Sequence, residues 1–199
     1  MAFQLITRCF ILGVCANLLG CVWAPMLSSE LSENFALAPY GTIAEPPSIN
    51  DGNLDTIGVV QPVDGERAFT LKFDSVKPVN RIIIHNKNLY RFNLDYLHPE
   101  TGEWVTFHEV RQRRDIGKER YQAKYVIERL NFQTNALRIY VTRTVDDTVA
   151  SRRTVSPTDK VVNRERGTTQ GGRFVEYYRV LEPSLASIRE IEVYHFAAK

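Results

Sequence analysis

Short stretches that alternate apolar and polar residues, or that form a β-branched run such as RIIIH at 81–85, recur along this chain from residue 68 onward. Eight of them predict β-strands, over residues 68–73, 81–85, 92–97, 104–110, 125–130, 136–142, 174–178 and 188–196. The turn at 98–103 carries Pro99 and Gly102 where a hairpin connection needs such residues. No long amphipathic helix accompanies the strands, so the pattern favours a β-sandwich or jelly roll over an α/β fold.

Two segments lack this pattern of apolar residues. Residues 28–48 are rich in Ser, Pro, Ala and Glu without a sustained period, which is typical of a tether, so we expect the folded domain to begin near Ile49 and run to residue 199. Between about 145 and 172 polar and basic residues replace the alternation, and the stretch ends at Gly171 and Gly172. We interpret it as a polar insertion, disordered or simply solvated, although such loops also carry function.

The chain opens with a separate apolar run. Residues 9–19 have the length of the apolar part of a secretory signal peptide, and Arg8 precedes them. The sequence LLGC, ending at Cys21, resembles the bacterial lipobox, in which the cysteine becomes the first mature residue and its thiol carries a diacylglyceryl group. This predicts a signal peptide over 1–20, lipid on Cys21 and a lipidated tether over 21–48. The alternative is an uncleaved anchor helix, since apolar residues continue to Leu27.

The positions of the cysteines indicate a cellular compartment, and the net charge argues against one class of partner. All 3 cysteines lie within the first 21 residues, so an acylated mature chain holds no free thiol, which suits an oxidising envelope compartment. Val22 follows Cys21 where inner-membrane lipoproteins often carry Asp, so the resemblance implies anchoring in the outer membrane, facing the periplasm or the exterior. A net charge of +2, together with the export signal, argues against a nucleic-acid partner.

Four stretches resemble the discoidin family, the galactose-binding-like domains also found as the C domains of coagulation factors V and VIII. INDGNLDT at 49–56 looks like the family's signature loop, and FTLKFDSVKPVNRIII at 69–84 like a strand pair. FNLDYLHPETGEWVTFHEV at 92–110 fits its central hairpin, and ASIREIEVY at 186–194 its last strand. The resemblance implies an all-β, galactose-binding-like jelly-roll β-sandwich of two antiparallel sheets, whose first and last strands lie close together.

The loop at 51–56 is a candidate calcium site. It places oxygen-bearing side chains around Gly52, a composition that suits a hard cation. Many members of the resembled family hold calcium here, which implies a structural calcium ion bound by Asp51, Asn53, Thr56 and Glu190. Ile57 and Gly58 follow Thr56, whereas the family usually has one variable residue and then tryptophan. The alternative is a turn whose Asp and Asn side chains cap their own backbone without a metal.

Motifs for catalysis are missing from the sequence. His85, His98 and His108 stand outside any metalloprotease, deaminase or hydrolase motif, as does His195 near the end of the chain. Neighbouring carboxylates such as Asp146 and Asp147 point to opposite faces of an extended strand, so they do not converge as an acid and a base. We therefore expect a binding protein rather than an enzyme.

Candidate ligand-binding residues follow from carbohydrate-binding relatives, in which loops at one end of the sandwich hold the sugar. Two clusters near strand ends offer aromatic, amide and guanidinium groups, and they comprise Asn86, Asn88, Tyr90 and Arg91, and Tyr177, Tyr178 and Arg179. The alternative is that these tyrosines cover the edges of the core and keep their hydroxyls in water.

The sequence thus leads to two functional hypotheses. The first is a non-enzymatic outer-membrane lipoprotein whose sandwich is an interaction module in an envelope assembly, such as a secretion-system complex. The second is a carbohydrate-binding module that recognises cell-envelope or host glycans. Both predict a membrane contact through the N-terminal lipid; they differ in whether a protein or a glycan occupies the binding surface.

Overall fold

The computed structural model describes residues 30–111 and 122–196, which contain twelve β-strands and two short 3-10 helices. The predicted signal peptide, Cys21 and the front of the predicted tether lie outside these residues. The helices span Ala38–Tyr40 and Pro47–Ile49. The strands are β1 Ile43–Glu45, β2 Gly58–Val60, β3 Ala68–Val79, β4 Arg81–Asn86, β5 Leu89–Leu97, β6 Trp104–Arg111, β7 Lys124–Ile127, β8 Phe132–Thr144, β9 Thr148–Arg152, β10 Lys160–Thr168, β11 Phe174–Glu182 and β12 Ala186–Tyr194.

Two antiparallel sheets enclose the core. One has the strand order β1-β3-β8-β5-β6 and the other β2-β12-β4-β7. Phe69 and Ile139, from the five-stranded sheet, share one cluster of buried side chains with Ile82, from the four-stranded sheet. The predicted all-β, jelly-roll sandwich is therefore confirmed.

The alternation in the sequence explains which side chains fill this core. In β3, Phe69, Leu71 and Phe73 are buried while Lys72 between them is exposed. Each fully buried side chain of this size contributes roughly 1.5–3 kcal/mol to stability. A cavity of about 10 Å³ lies between the sheets beside Phe69, Ile82 and Ile139, and it is too small for a ligand. Larger clefts lie at the surface.

All eight predicted strand stretches coincide with observed strands, although β7 ends at Ile127 rather than at residue 130 and β12 ends at Tyr194 rather than at residue 196. The hairpin turn is also present, since the His98 N–H donates to the Glu103 carbonyl over 2.9 Å and Gly102 has a φ of 68°. Four strands, β1, β2, β9 and β10, were not predicted. The first two have three residues each, and the last two are polar, so neither pair produces an apolar period.

The predicted tether needs correction from residue 31 onward, because the described residues from Leu31 onward belong to one compact unit. Phe35 and Ala36 are buried, and β1 pairs with β3. The Asn50 side-chain amide donates to the carbonyls of Ala36 and Thr42 over 3.0 and 3.1 Å. These contacts hold a segment whose composition resembles a linker, so the domain does not begin at Ile49.

The predicted polar insertion is largely exposed to solvent but is not disordered. Residues 148–152 and 160–168 form β9 and β10, which pair with β11 in a third antiparallel sheet of order β10-β11-β9. Backbone hydrogen bonds, rather than apolar burial, organise this segment, and most of β10 is exposed. The segment is therefore a folded sheet and not a disordered loop.

A β-bulge in the last strand decides which side chains meet the first loop. Alternation alone would place Ile188 and Glu190 on the same face, but the register shifts between them. Ile188 consequently joins the core with Ile191 and Val193, while Glu190 faces the loop at Asp51. Within the described ranges, no helix has the length and apolar character needed to cross a membrane.

Candidate functional site

The loop at 51–56 folds as an Asx turn. Gly52 has a φ of 79°, a conformation that favours glycine. The Asp51 Oδ1 atom accepts hydrogen bonds from the Asn53 N–H at 2.8 Å and the Thr56 hydroxyl at 3.0 Å. The Arg189 guanidinium donates to the Leu54 carbonyl over 2.7 Å, which joins the loop to β12.

Glu190 lies against this loop and is only 3% exposed. Neither of its carboxylate oxygens has a hydrogen-bond partner of ordinary geometry among the described residues. Burial raises the pKa of Glu190 to about 7. The nearby Gly52 N–H lowers the pKa, whereas the negative charges of Asp51 and Glu192 raise it further. A buried carboxylate whose hydrogen-bond donors do not offset its burial is a group that a cation would stabilise.

Three of the four residues predicted to hold calcium, Asp51, Thr56 and Glu190, lie close to one another. The Asp51 carboxylate lies beside Glu190, and the Thr56 hydroxyl lies 3.0 Å from Asp51 Oδ1 and 3.4 Å from the Ser48 carbonyl. Oxygen atoms of these kinds are the ligands that calcium prefers. Asn53 fits less well, because its side-chain oxygen accepts the Asp55 N–H at 2.9 Å. Among the described residues no group of three or more His, Cys, Asp or Glu could hold a metal, so this site offers two carboxylates plus neutral oxygens.

The first predicted ligand cluster is mostly buried. The Asn86 side chain is 1% exposed and caps the turn between β4 and β5, where its Oδ1 accepts the Leu89 N–H over 2.8 Å. Asn88 is 8% exposed, and Tyr90 is fully buried with its hydroxyl unpartnered among the described residues. Only Arg91 of this cluster is exposed, with its guanidinium 5.6 Å from the Tyr90 ring centroid. The side chains of Asn86 and Tyr90 are therefore almost inaccessible to a ligand.

The second predicted cluster lies on β11, the central strand of the third sheet. Tyr177 and Arg179 share one face, and Tyr178 lies on the other, because neighbouring strand residues alternate. The Arg153 guanidinium lies 5.8 Å from the Tyr177 ring centroid, and the Arg164 guanidinium 5.5 Å from that of Tyr178. The structure thus separates three residues that the sequence grouped.

A cleft at one end of the sandwich, the loop-end cleft, was not predicted from the sequence. Its volume is about 430 Å³. Apolar side chains with 40–49% exposure line it beside an amine, a carboxylate, an amide and hydroxyls. Its lining residues are Ile57, Val59, Lys87, Asn88, Asp146, Ser184, Leu185 and Ser187.

Hydrogen bonds between distant segments fix this cleft. The Asn88 side-chain amide donates to the Asp146 carboxylate and to the Leu185 carbonyl, each over 2.8 Å. Its oxygen accepts the Ser187 N–H, also over 2.8 Å. Asn88, which was predicted as a ligand-binding residue, lines the cleft and also joins the segments that form its wall.

A second cleft of about 580 Å³, the sheet cleft, lies on the other side of the turn between β8 and β9. Asp146 lines the loop-end cleft, whereas Asp147 lines the sheet cleft. The lining residues of the sheet cleft are Arg143, Asp147, Thr148, Val149, Val162, Asn163, Glu165 and Arg179. Of the residues predicted to bind ligand, Arg179 is the one that lines this cleft.

A buried ion pair holds the turn between the clefts. The Arg67 guanidinium donates to both oxygens of Asp147, over 2.7 and 3.0 Å, and both side chains are almost fully buried. Burial tends to raise the pKa of Asp147, but hydrogen bonds from Arg67, from the Ser184 N–H and from Thr144 outweigh it and lower the pKa to about 2. Asp147 is therefore ionised and fully paired.

Comparison with known proteins supports the fold assignment. No protein-family model and no curated protein matches the chain. Among solved structures, it is similar to a fucose-binding module of Streptococcus pneumoniae, with a TM-score of 0.52 and 12% identity over 83% of this chain and 100% of that one. It is also similar to chitosan-binding module 1 from the chitosanase/glucanase of Paenibacillus sp. IK-5, with a TM-score of 0.50 and 16% identity over 82% of this chain and 100% of that one. The chain has the galactose-binding-like, discoidin-type fold.

Proposed function

We propose that this protein is a non-enzymatic carbohydrate-binding module whose glycan occupies the loop-end cleft. The observation that carries the proposal is the composition of this cleft, where exposed Ile57, Val59 and Leu185 lie beside Lys87 and Asp146. A sugar ring presents apolar C–H groups and polar hydroxyls together, and this lining offers partners to both. The fucose-binding and chitosan-binding modules with the same fold support this choice.

A glycan array tests the proposal, followed by titration of the strongest neutral glycan. We expect Leu185→Ala to weaken binding by about tenfold, because it removes apolar contact area from the cleft. Ile43→Ala is the matched control, since Ile43 is an exposed apolar residue on β1 that does not line the cleft. A chain that binds no glycan, or equal losses in the two variants, would contradict the proposal.

The calcium site is part of the same proposal. A bound calcium ion would be held by Asp51, Thr56 and Glu190, where it would neutralise the buried carboxylate and join the first loop to β12. This role is structural, because the loop residues do not line either cleft.

A second candidate function is an interaction module in an envelope assembly, anchored in the outer membrane by lipid on Cys21. The observation that favours it is the third sheet, whose β10 edge is exposed and which presents Phe174 at 84% exposure. An open strand edge can pair with a strand of a partner protein. Co-purification of the native lipoprotein with a membrane complex, lost on replacing Phe174 with Ser, would support this candidate; recovery of the lipoprotein alone would count against it.

A further inference from the structure

We propose that the sheet cleft is a second binding site and takes an acidic saccharide, whose carboxylates contact Arg143 and Arg179. This rests on the proposed function, because it assumes that the chain binds glycans, but it concerns a different surface. Both guanidinium groups line one cleft of about 580 Å³. Guanidinium groups match the geometry of carboxylates and form strong hydrogen bonds with them.

The two arginines are available to a ligand. Within the described part of the chain, no carboxylate lies within ion-pair distance of Arg143, and Arg179 is 39% exposed with Glu165 at 3.8 Å. Asp147 also lines the cleft, but its charge is matched by Arg67 at 2.7 Å. The negative charge that remains to oppose an anion is that of Glu165.

An aromatic ring continues the same face of the third sheet. Tyr177 lies two residues from Arg179 on β11, and a Cβ atom at Gly167 would come within 2.9 Å of its ring. Glycine at this position therefore lets the ring lie close to the backbone of β10. With the side chains of Asn163 and Thr148 in the cleft, the surface offers partners for a sugar face and for hydroxyls as well as for a carboxylate.

Calorimetric titration of the full chain with tetragalacturonic acid and with its fully methyl-esterified form tests the proposal. These probes share one backbone and differ in charge. We expect the acid to bind at least about tenfold more tightly than the ester, and the double variant R143Q/R179Q to lose about tenfold in affinity for the acid. Arg166→Gln is the matched control, because Arg166 neighbours Glu165 on β10 and so points to the opposite face.

Equal affinity for the acid and the ester would overturn the proposal, and so would an equal loss in Arg166→Gln and the double variant. Thermal unfolding of each variant confirms that it is folded. If the chain binds neutral glycans in the loop-end cleft but not the acid, this inference alone fails. If it binds no glycan of either kind, the proposed function fails as well.

Discussion

Two buried carboxylates show how local partners set the behaviour of single residues. Asp147 accepts hydrogen bonds from a guanidinium, a hydroxyl and a backbone N–H, and its pKa falls to about 2. Glu190 is also buried, and the nearby Gly52 N–H does not offset this burial, so its pKa rises to about 7. The charge of Asp147 is matched within the protein, whereas the proposed calcium ion would neutralise Glu190.

Replacing Glu190 with Gln tests the calcium site. We expect calcium to raise the melting temperature of the natural protein by several degrees and to leave that of Glu190→Gln unchanged, because the amide removes one ligand charge. Scanning calorimetry with calcium and with chelator measures both. Glu103→Gln, which alters a carboxylate in the exposed hairpin turn, should respond to calcium as the natural protein does. If calcium leaves the melting temperature of the natural protein unchanged, the proposed calcium site is wrong.

Replacing Arg67 with Met tests the buried ion pair. The change leaves the Asp147 carboxylate buried without its cation, so we expect a loss of about 3–5 kcal/mol in the free energy of unfolding. The double variant R67M/D147L removes both charges and should recover part of this loss. Urea unfolding at pH 7 provides the measurement, and a loss below about 1 kcal/mol in the single variant would contradict the account.

The same pair predicts a pH dependence. The pKa of Asp147 is lower in the folded state than its usual 3.8, so its contribution is present above pH 4 and is lost as the pH falls through about 2. The lowered pKa of Asp147 corresponds to about 2 kcal/mol in the free energy of unfolding. We expect the stability difference between the natural protein and R67M/D147L to shrink by this amount between pH 5 and pH 2, as measured by urea unfolding. A constant difference would argue against the assignment.

At the scale of elements, the sequence revealed strands that bury an apolar face and missed those that do not. β3 could be predicted because Phe69, Leu71 and Phe73 alternate with polar residues. β10 could not, since backbone pairing with β11 holds it and nearly all of its side chains are exposed. The bulge beside Ile188 was not predicted either, because a register shift does not alter the order of apolar and polar residues in the sequence.

Hydrogen exchange tests whether the third sheet is folded. β11 lies between β9 and β10, so its amides donate within the sheet, and we expect them to exchange at least about tenfold more slowly than those of the turn at 169–172. Amides on the outer edge of β10 should exchange fast. Uniformly fast exchange over residues 148–182 would instead indicate the disordered insertion that the sequence suggested.

At the scale of the molecule, binding surfaces arise from segments that are far apart in the chain. Val59, Lys87, Asp146 and Leu185 come from four such segments and meet only because of the fold. The resemblance to discoidin domains led to the sandwich and to contact between Glu190 and the first loop. It could not indicate the clefts, because their apolar and charged residues have no motif in the sequence.

Chemical-shift mapping of the labelled protein with its strongest neutral glycan is the most direct test of the central claim. We expect shifted amides around the loop-end cleft, at Val59, Lys87, Asp146 and Leu185. Amides at the opposite ends of β4 and β12, at Arg81 and Tyr194, should not move. Shifts confined to that opposite end, or no shifts with any glycan, would contradict the claim that this sandwich binds carbohydrate through its loop-end cleft.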